Sequence, residues 1–265
     1  MDQQVIEVAA WNYVVAWIDL LGQSDLLVSL PQINLSSDDK RKFEKAGTNL
    51  HVFREELFSL KDSVIKMIEK TKGWKPGIEL HVMADSAQFA ISFEKKTDVQ
   101  TLAEINVLLY ALNSTMLALL AKSLPVRGAI ELGLCLRTQQ GEIYGTAVAR
   151  AVMMEKKAIY PRVAIGGNLV EYLKSSLNNT NALECLRLID ADEDGFLILN
   201  YAKDFKDKMQ KVIGPEDQIK PALMKARKFI EESKEKYKAK FDFKLVQKYS
   251  YLERFFKRNH IWDIS

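Results

Sequence analysis

The run Val14-Val15-Ala16-Trp17-Ile18-Asp19-Leu20-Leu21-Gly22-Gln23-Ser24-Asp25-Leu26-Leu27 constrains the fold of this chain more than any other stretch. Its first half is apolar, β-branched and aromatic, and it is closed by a carboxylate and then a glycine, the pattern of a buried strand. After Gly22 the spacing becomes helical, with Gln23 or Ser24 in the first turn. A carboxylate at a strand end, followed by a tight turn and a helix start, joins two uses. Asp19 can hold a metal ion, and the turn amides can hold phosphate oxygens. The same stretch also fits a plain strand-to-helix connection carrying a chance acid.

A second stretch, Ile78 to Phe93, contains two strand-like runs flanking Asp85-Ser86, a tight hairpin with a carboxylate at its tip. Between the two aspartates, Phe43, Ala46, Leu50, Phe53, Leu57, Leu60, Val64 and Met67 recur at three- and four-residue steps, one stripe of a long helix capped by Ser36 or Ser37 and ended by Gly73. A second helix is expected from about Asp98 to Lys122 with Thr97 as its cap, then a strand from Val126 to Cys135. The order β-α-β-β-α-β predicts an α+β chain with a ferredoxin-like core. In that fold the first strand lies beside the third, which brings Asp19 within reach of the hairpin tip carrying Asp85. Two carboxylates on neighbouring strands suit a pair of divalent ions in phosphoryl or nucleotidyl transfer.

These residues carry a family resemblance. Ile18-Asp19-Leu20-Leu21-Gly22, Met83-Ala84-Asp85-Ser86, Arg127-Gly128-Ala129-Ile130 with Gly133, and Glu142 to Glu155 resemble class III nucleotide cyclases over about residues 12–175. With Tyr160-Pro161-Arg162-Val163 and Leu188 to Gly195, the chain also resembles the small bacterial cyclase-like proteins that include the pyrimidine cyclases of anti-phage defence. The resemblance implies a palm-type catalytic domain over residues 1–202, with residues 203–265 as a helical extension packed on it. It also implies conversion of a nucleoside triphosphate, UTP or CTP among them, to a 3′,5′-cyclic nucleotide and pyrophosphate. Two Mg²⁺ or Mn²⁺ ions would be held by Asp19, Asp85 and the Leu20 carbonyl. Leu21, Gly22, Gln23 and Ser24 would cradle the phosphates, with Tyr144 also near the nucleotide. The family builds composite sites in a head-to-tail homodimer.

Four positions depart from the purine-cyclase pattern. Ala149 and Met153 stand where that family carries an asparagine and an arginine, and neither donates a hydrogen bond. Arg127 and Arg150 are the candidate substitutes, unless both make surface or interface salt bridges. His81 and Glu142 occupy the base-reading positions and match neither the adenine nor the guanine pattern. A catalytically degenerate nucleotide-binding or protein-interaction module is therefore the alternative reading.

Composition sets the outer bounds. The 265 residues are 48% hydrophobic, enough for a substantial core. No apolar run is expected to span a bilayer, and the first ten residues lack a secretion pattern, so a cytoplasmic protein without a membrane partner is expected. Cys135 and Cys185 both sit on apolar runs and read as buried reduced thiols. Asp190-Ala191-Asp192-Glu193-Asp194-Gly195 matches the start of a calcium loop, but Tyr201 stands where the last carboxylate is needed. A hairpin between Cys185–Ile189 and Phe196–Asn200 is the better fit. Residues 203–258 carry 17 Lys and Arg against 9 Asp and Glu. With acids interspersed, that charge reads as a solvated face and makes nucleic acid an unlikely partner. Tyr249, Leu252, Phe255, Phe256, Ile261 and Trp262 form a stripe expected to dock on the core.

Overall fold

The computed structural model describes residues 10–28, 30, 36–202 and 216–262. β1 (Ala10–Leu20) turns at Gly22 into the short α1 (Gln23–Val28), and α2 (Ser37–Lys72) follows. Ser36 caps α2 in a reciprocal capping box with Asp39, and Gly73 closes it in the left-handed conformation that glycine adopts at least cost. Then come β2 (Ile78–Met83), β3 (Ser86–Ser92), α3 (Asp98–Ala121) and β4 (Val126–Arg137). Thr97 and Gln100 form the capping box of α3. The strands lie in the order β2-β3-β1-β4 with antiparallel pairings throughout, so the ferredoxin-like arrangement is present.

The remaining described elements extend this sheet. β5 (Ile143–Gly145) pairs with β4 and leads into α4 (Thr146–Ala158). β6 (Val163–Ile165) runs parallel to β4, followed by α5 (Gly167–Ser175) and α6 (Thr180–Arg187). β7 (Ile189–Ala191) and β8 (Leu197–Leu199) form the outer hairpin, and α7 (Glu216–Ala239) and α8 (Phe243–Arg258) complete the chain.

Alternation along β1 decides which residues go where. Val14, Ala16, Ile18 and Leu20 enter the main core, which also takes Phe53, Leu57 and Leu60 of α2 and Leu102, Ile105 and Leu109 of α3. Each fully buried side chain of this kind stabilises the fold by about 1.5–3 kcal/mol. Tyr13 and Val15 enter a smaller cluster on the other face with Ala147 and Ala151 of α4. Asp19 has the odd parity and belongs to that second face. Gly128 sits where a Cβ would come within 2.4 Å of the Trp17 carbonyl oxygen, so β1 and β4 approach closely only because that position is glycine.

Three expectations are corrected. Phe43 is 56% exposed, and the buried stripe of α2 ends on Ile68 rather than Met67, because 3.6-residue periodicity drifts off a fixed step over so long a helix. Cys185 lies in α6, not in a strand; Asn179 caps that helix, and Ala182 and Cys185 bury one side of it. α3 does satisfy the length and composition of a membrane-crossing helix, and it packs as a core helix buried over most of its length. Cys135 and Cys185 are buried free thiols, as expected.

The C-terminal stripe docks as read: Tyr249, Leu252, Phe255, Phe256, Ile261 and Trp262 all join the main core, and α7 packs on α3. Residues 203–215 lie outside the described residues. The acids of the β7–β8 hairpin serve this docking rather than calcium. Arg162, 2% exposed, donates to Asp194 at 2.8 and 2.6 Å and to Asp192. Tyr251 of α8 donates to Asp192 at 2.7 Å, and its ring stacks on Tyr160 at 4.6 Å. Arg258 adds a third side-chain donor to Asp192 at 3.1 Å. Burial alone would push the Asp192 carboxyl up, but hydrogen bonds from Tyr251 and Arg162 hold it below the usual range.

Candidate functional site

The register places Asp19 directly between Ser86 of β3 and Arg127 of β4. Ser86 Oγ donates to Asp19 Oδ1 at 3.0 Å, and Arg127 Nη2 donates to Asp19 Oδ2 at 3.3 Å. The Leu20 N–H donates to the Asp85 carbonyl at 2.9 Å, which fastens the end of β1 to the tip of the β2–β3 hairpin. Ala84, beside Asp85, is left-handed with φ 49°, and Arg54 Nη2 holds its carbonyl at 3.0 Å. A non-glycine residue in that region is strained, so the tip is fixed by its surroundings rather than by preference.

The other flank of Arg127 meets a residue to which the sequence gave no role. Its Nε lies against Glu155 Oε1, and Glu155 is buried on the sheet-facing side of α4. Burial pushes the Asp19 carboxyl above its ordinary value; Ser86 and Arg127 oppose that, and the Asp85 charge adds to it. Burial likewise raises Glu155, with Arg127 opposing and Asp19 reinforcing. Acids that crowd together while partly dehydrated gain by sharing a cation.

One row further along the strands, His81 of β2 faces Gln88 of β3, which faces Trp17 of β1. Gln88 is 3% exposed, and among the described residues neither its amide nitrogen nor the buried His81 Nε2 has a hydrogen-bond partner. The Glu79 carboxylate, 3.7 Å from that nitrogen, is too distant for a hydrogen bond. Gln88 was the signal available in advance: one amide inside the apolar run Ala87–Ile91.

The other expected residues scatter. Leu20 is buried in the core, so only its backbone can serve a ligand. The Leu21 N–H is already engaged by the Pro125 carbonyl at 3.0 Å, which removes one amide from the expected phosphate cradle and leaves the amides after it. Gly22 is left-handed at φ 85° and Gln23 is buried; the Ser24 side chain lies outside the described residues. Glu142 is exposed on the β4–β5 turn, and Tyr144 of β5 is 71% exposed. Among the described residues His81 and Glu142 make no hydrogen bond or ion pair with each other. Arg150 and Ala149 are exposed on α4, as is Met153 at 57%. Arg127 turns inward to Asp19 of its own chain.

The strands and their two crossover helices thus define an α+β ferredoxin-like core, with two acids at adjoining strand ends on the face that α4 partly covers. No protein-family model and no curated protein sequence matches the chain. Among solved structures it is similar to the monomeric guanylyl cyclase domain of the RhoGC fusion protein from the aquatic fungus Blastocladiella emersonii, at 11% identity and a TM-score of 0.45, covering 72% of this chain and 96% of that one. The guanylyl cyclase Cya2 gives 13% identity and a TM-score of 0.40, covering 72% and 91%. A class III adenylyl cyclase-like ATP-binding protein from Pseudomonas aeruginosa gives 15% and 0.33, covering 70% of this chain and 43% of that one.

Proposed function

We propose that this chain is a metal-dependent nucleotidyl cyclase, a phosphorus–oxygen lyase that converts a pyrimidine nucleoside triphosphate to its 3′,5′-cyclic nucleotide and pyrophosphate. Its product would serve as a second messenger in bacterial anti-phage signalling. One observation carries the reading: the 2.9 Å bond from Leu20 N–H to the Asp85 carbonyl, which holds the Asp19 and Asp85 strand ends together. The donor set fits divalent Mg²⁺ or Mn²⁺, which take hard oxygen ligands and complete their shells with phosphate and water. Asp19, Asp85 and the Leu20 carbonyl would hold the ions. Among the described residues no group of three or more His, Cys, Asp and Glu side chains gathers in a metal-holding arrangement; phosphate and water would supply the remaining ligands. When bound, the ions supply charge for a ribose 3′-hydroxylate and for the leaving pyrophosphate.

The chain's own residues do the rest. Asp19 and Asp85 orient the triphosphate by fixing its counter-ions, and the amides of Gly22 and Gln23 receive phosphate oxygens. Arg127, which lies against Glu155, would be the cation that answers developing negative charge. The unpartnered His81 nitrogen and Gln88 amide offer polar partners for a base edge. Glu142, Tyr144 and Arg150, exposed on the same half of the molecule, would reach the site of a second copy in a head-to-tail homodimer with two composite sites. A second reading, a nucleotide-binding or interaction module without turnover, draws on Ala149 and Met153, which carry no donor on the exposed side of α4.

The test is incubation of the chain with ATP, GTP, CTP and UTP in turn, with Mn²⁺, and mass spectrometry of the products. A cyclic pyrimidine nucleotide supports the proposal. Binding without turnover supports the nucleotide-binding form of the second reading, and neither binding nor turnover refutes the cyclase proposal and leaves only an interaction module.

A further inference from the structure

The turn between α7 and α8 carries the two most exposed phenylalanines among the described residues. Phe241 is 78% exposed and Phe243 is 70% exposed, separated only by Asp242. The turn is tightly built: Phe241 N–H donates to the Lys238 carbonyl at 3.0 Å and Asp242 N–H to the Tyr237 carbonyl at 3.0 Å. The Asp242 side chain is spent on capping α8, accepting from Leu245 N–H at 3.1 Å. Phe241 closes α7 with φ 56°, the left-handed position that glycine or asparagine fills at least cost. A bulky aromatic there is strained and solvated at once, and neither the fold nor the proposed site uses it.

The surroundings are basic. Residues 236–248 include Lys236, Lys238, Lys240, Lys244 and Lys248 against the single acid Asp242. Lys238 pairs with Glu235 at 2.6 Å, whereas Lys236, Lys240 and Lys244 make no ion pair among the described residues. Lys45 of α2 lies close enough to join them: burial, then the charges of Lys240 and Lys45, lower the Lys236 pKa. A convex tip with two adjacent rings, ringed by Lys236, Lys240 and Lys244 with no ion pair among the described residues, complements an anionic bilayer. The rings enter the acyl boundary while the lysines meet phosphates. α7 packs on α3, which covers the sheet face opposite the one that Asp19 occupies, so a bilayer on this tip leaves that face open.

We infer that the Phe241–Phe243 turn is a docking site for an anionic lipid surface, a peripheral contact that needs no spanning segment and departs from the expectation of no membrane partner. The proposal is independent of the cyclase reading.

Co-sedimentation of the full chain with phosphatidylcholine vesicles, with and without phosphatidylserine, tests it. Binding is expected with phosphatidylserine only, and it should fall steeply in about 1 M salt, where the Debye length is about 3 Å. Phe241→Ser and Phe243→Ser should each weaken binding about tenfold, the loss of one interfacial ring. Phe241→Gly separates docking from folding: it removes the left-handed strain, so its melting temperature should hold or rise while vesicle binding falls. No preference for anionic vesicles overturns the proposal, as does full binding by the Phe241→Gly variant. It is equally overturned if these variants convert a dimer to a monomer without any vesicle binding in the parent chain, since the turn would then be a contact between copies.

Discussion

Arg127 and Asp19, 108 residues apart in sequence, face each other across the β1–β4 ladder with Nη2 and Oδ2 at 3.3 Å. The guanidinium is shared with Glu155, so it neutralises a strand-end acid from one side while a buried helix acid holds it from the other. In the proposed enzyme this pairing would hold the Arg127 guanidinium beside the strand-end acids, where its charge could answer that of a triphosphate.

Asp19→Asn and Asp85→Asn should each lower Mn²⁺-dependent turnover at least about a hundredfold, because the metals lose a charged ligand. Asp19→Asn should leave the melting temperature unchanged or higher at neutral pH, since it removes a carboxylate whose ionised form is disfavoured by burial. Full turnover with either variant would end the two-metal proposal. Calorimetry and product assay on the same preparation separate the two effects.

Glu155→Ala removes the acid behind Arg127 and leaves that guanidinium with Asp19 alone. We expect about 2 kcal/mol of lost stability, less than for a fully buried pair because Arg127 is partly exposed. Turnover should fall as well, with Glu155→Gln recovering part of it by keeping the side chain's volume and an oxygen acceptor. Urea unfolding and kcat measured side by side check this.

The Arg162 cluster predicts acid lability. Asp192 and Asp194 have folded pKa values below the ordinary carboxylate value of about 4. Their stabilisation is complete above that value and is lost as pH falls through the folded values. α8 should therefore loosen below about pH 4, seen as lost near-ultraviolet dichroism from the Tyr160–Tyr251 stack. Arg162→Met should cost about 3 kcal/mol at neutral pH, the low end for a broken buried pair because Tyr251 and Arg258 still donate to Asp192, and it should flatten the acid transition.

Assembly has its own test. An Asp19→Ala chain and a Glu142→Ala chain, each inactive alone, should regain part of the activity when mixed, because one of the two composite sites in the heterodimer is intact. No recovery from chains shown to exchange, or a monomer at active concentration, would exclude shared sites.

Base choice is read by exchange. If His81 and Glu142 face the base, UTP or CTP should be preferred, and His81→Lys with Glu142→Asp should move preference towards ATP. A parent chain that prefers ATP or GTP defeats this assignment.

What the sequence by itself determined is what depends on near neighbours. The β1 run carrying Asp19, the Asp85 hairpin, a cap at Ser36 or Ser37, the cap Thr97 and the C-terminal apolar stripe were all legible. Strand alternation, helix spacing and caps are set within a few residues, and the β-α-β-β-α-β order then leaves few ways to pair the strands. Tertiary structure alone decided the partners of charged and amide side chains. That Arg127 turns to Asp19 and Glu155, that Arg162 binds the hairpin acids, and that Gln88 stands unpartnered beside His81 all follow from strand register and from where α4 and α8 settle. A guanidinium or amide is compatible with many acceptors, and nothing within a few residues of it favours one. Which acceptor it meets depends on contacts made by chain segments tens of residues away.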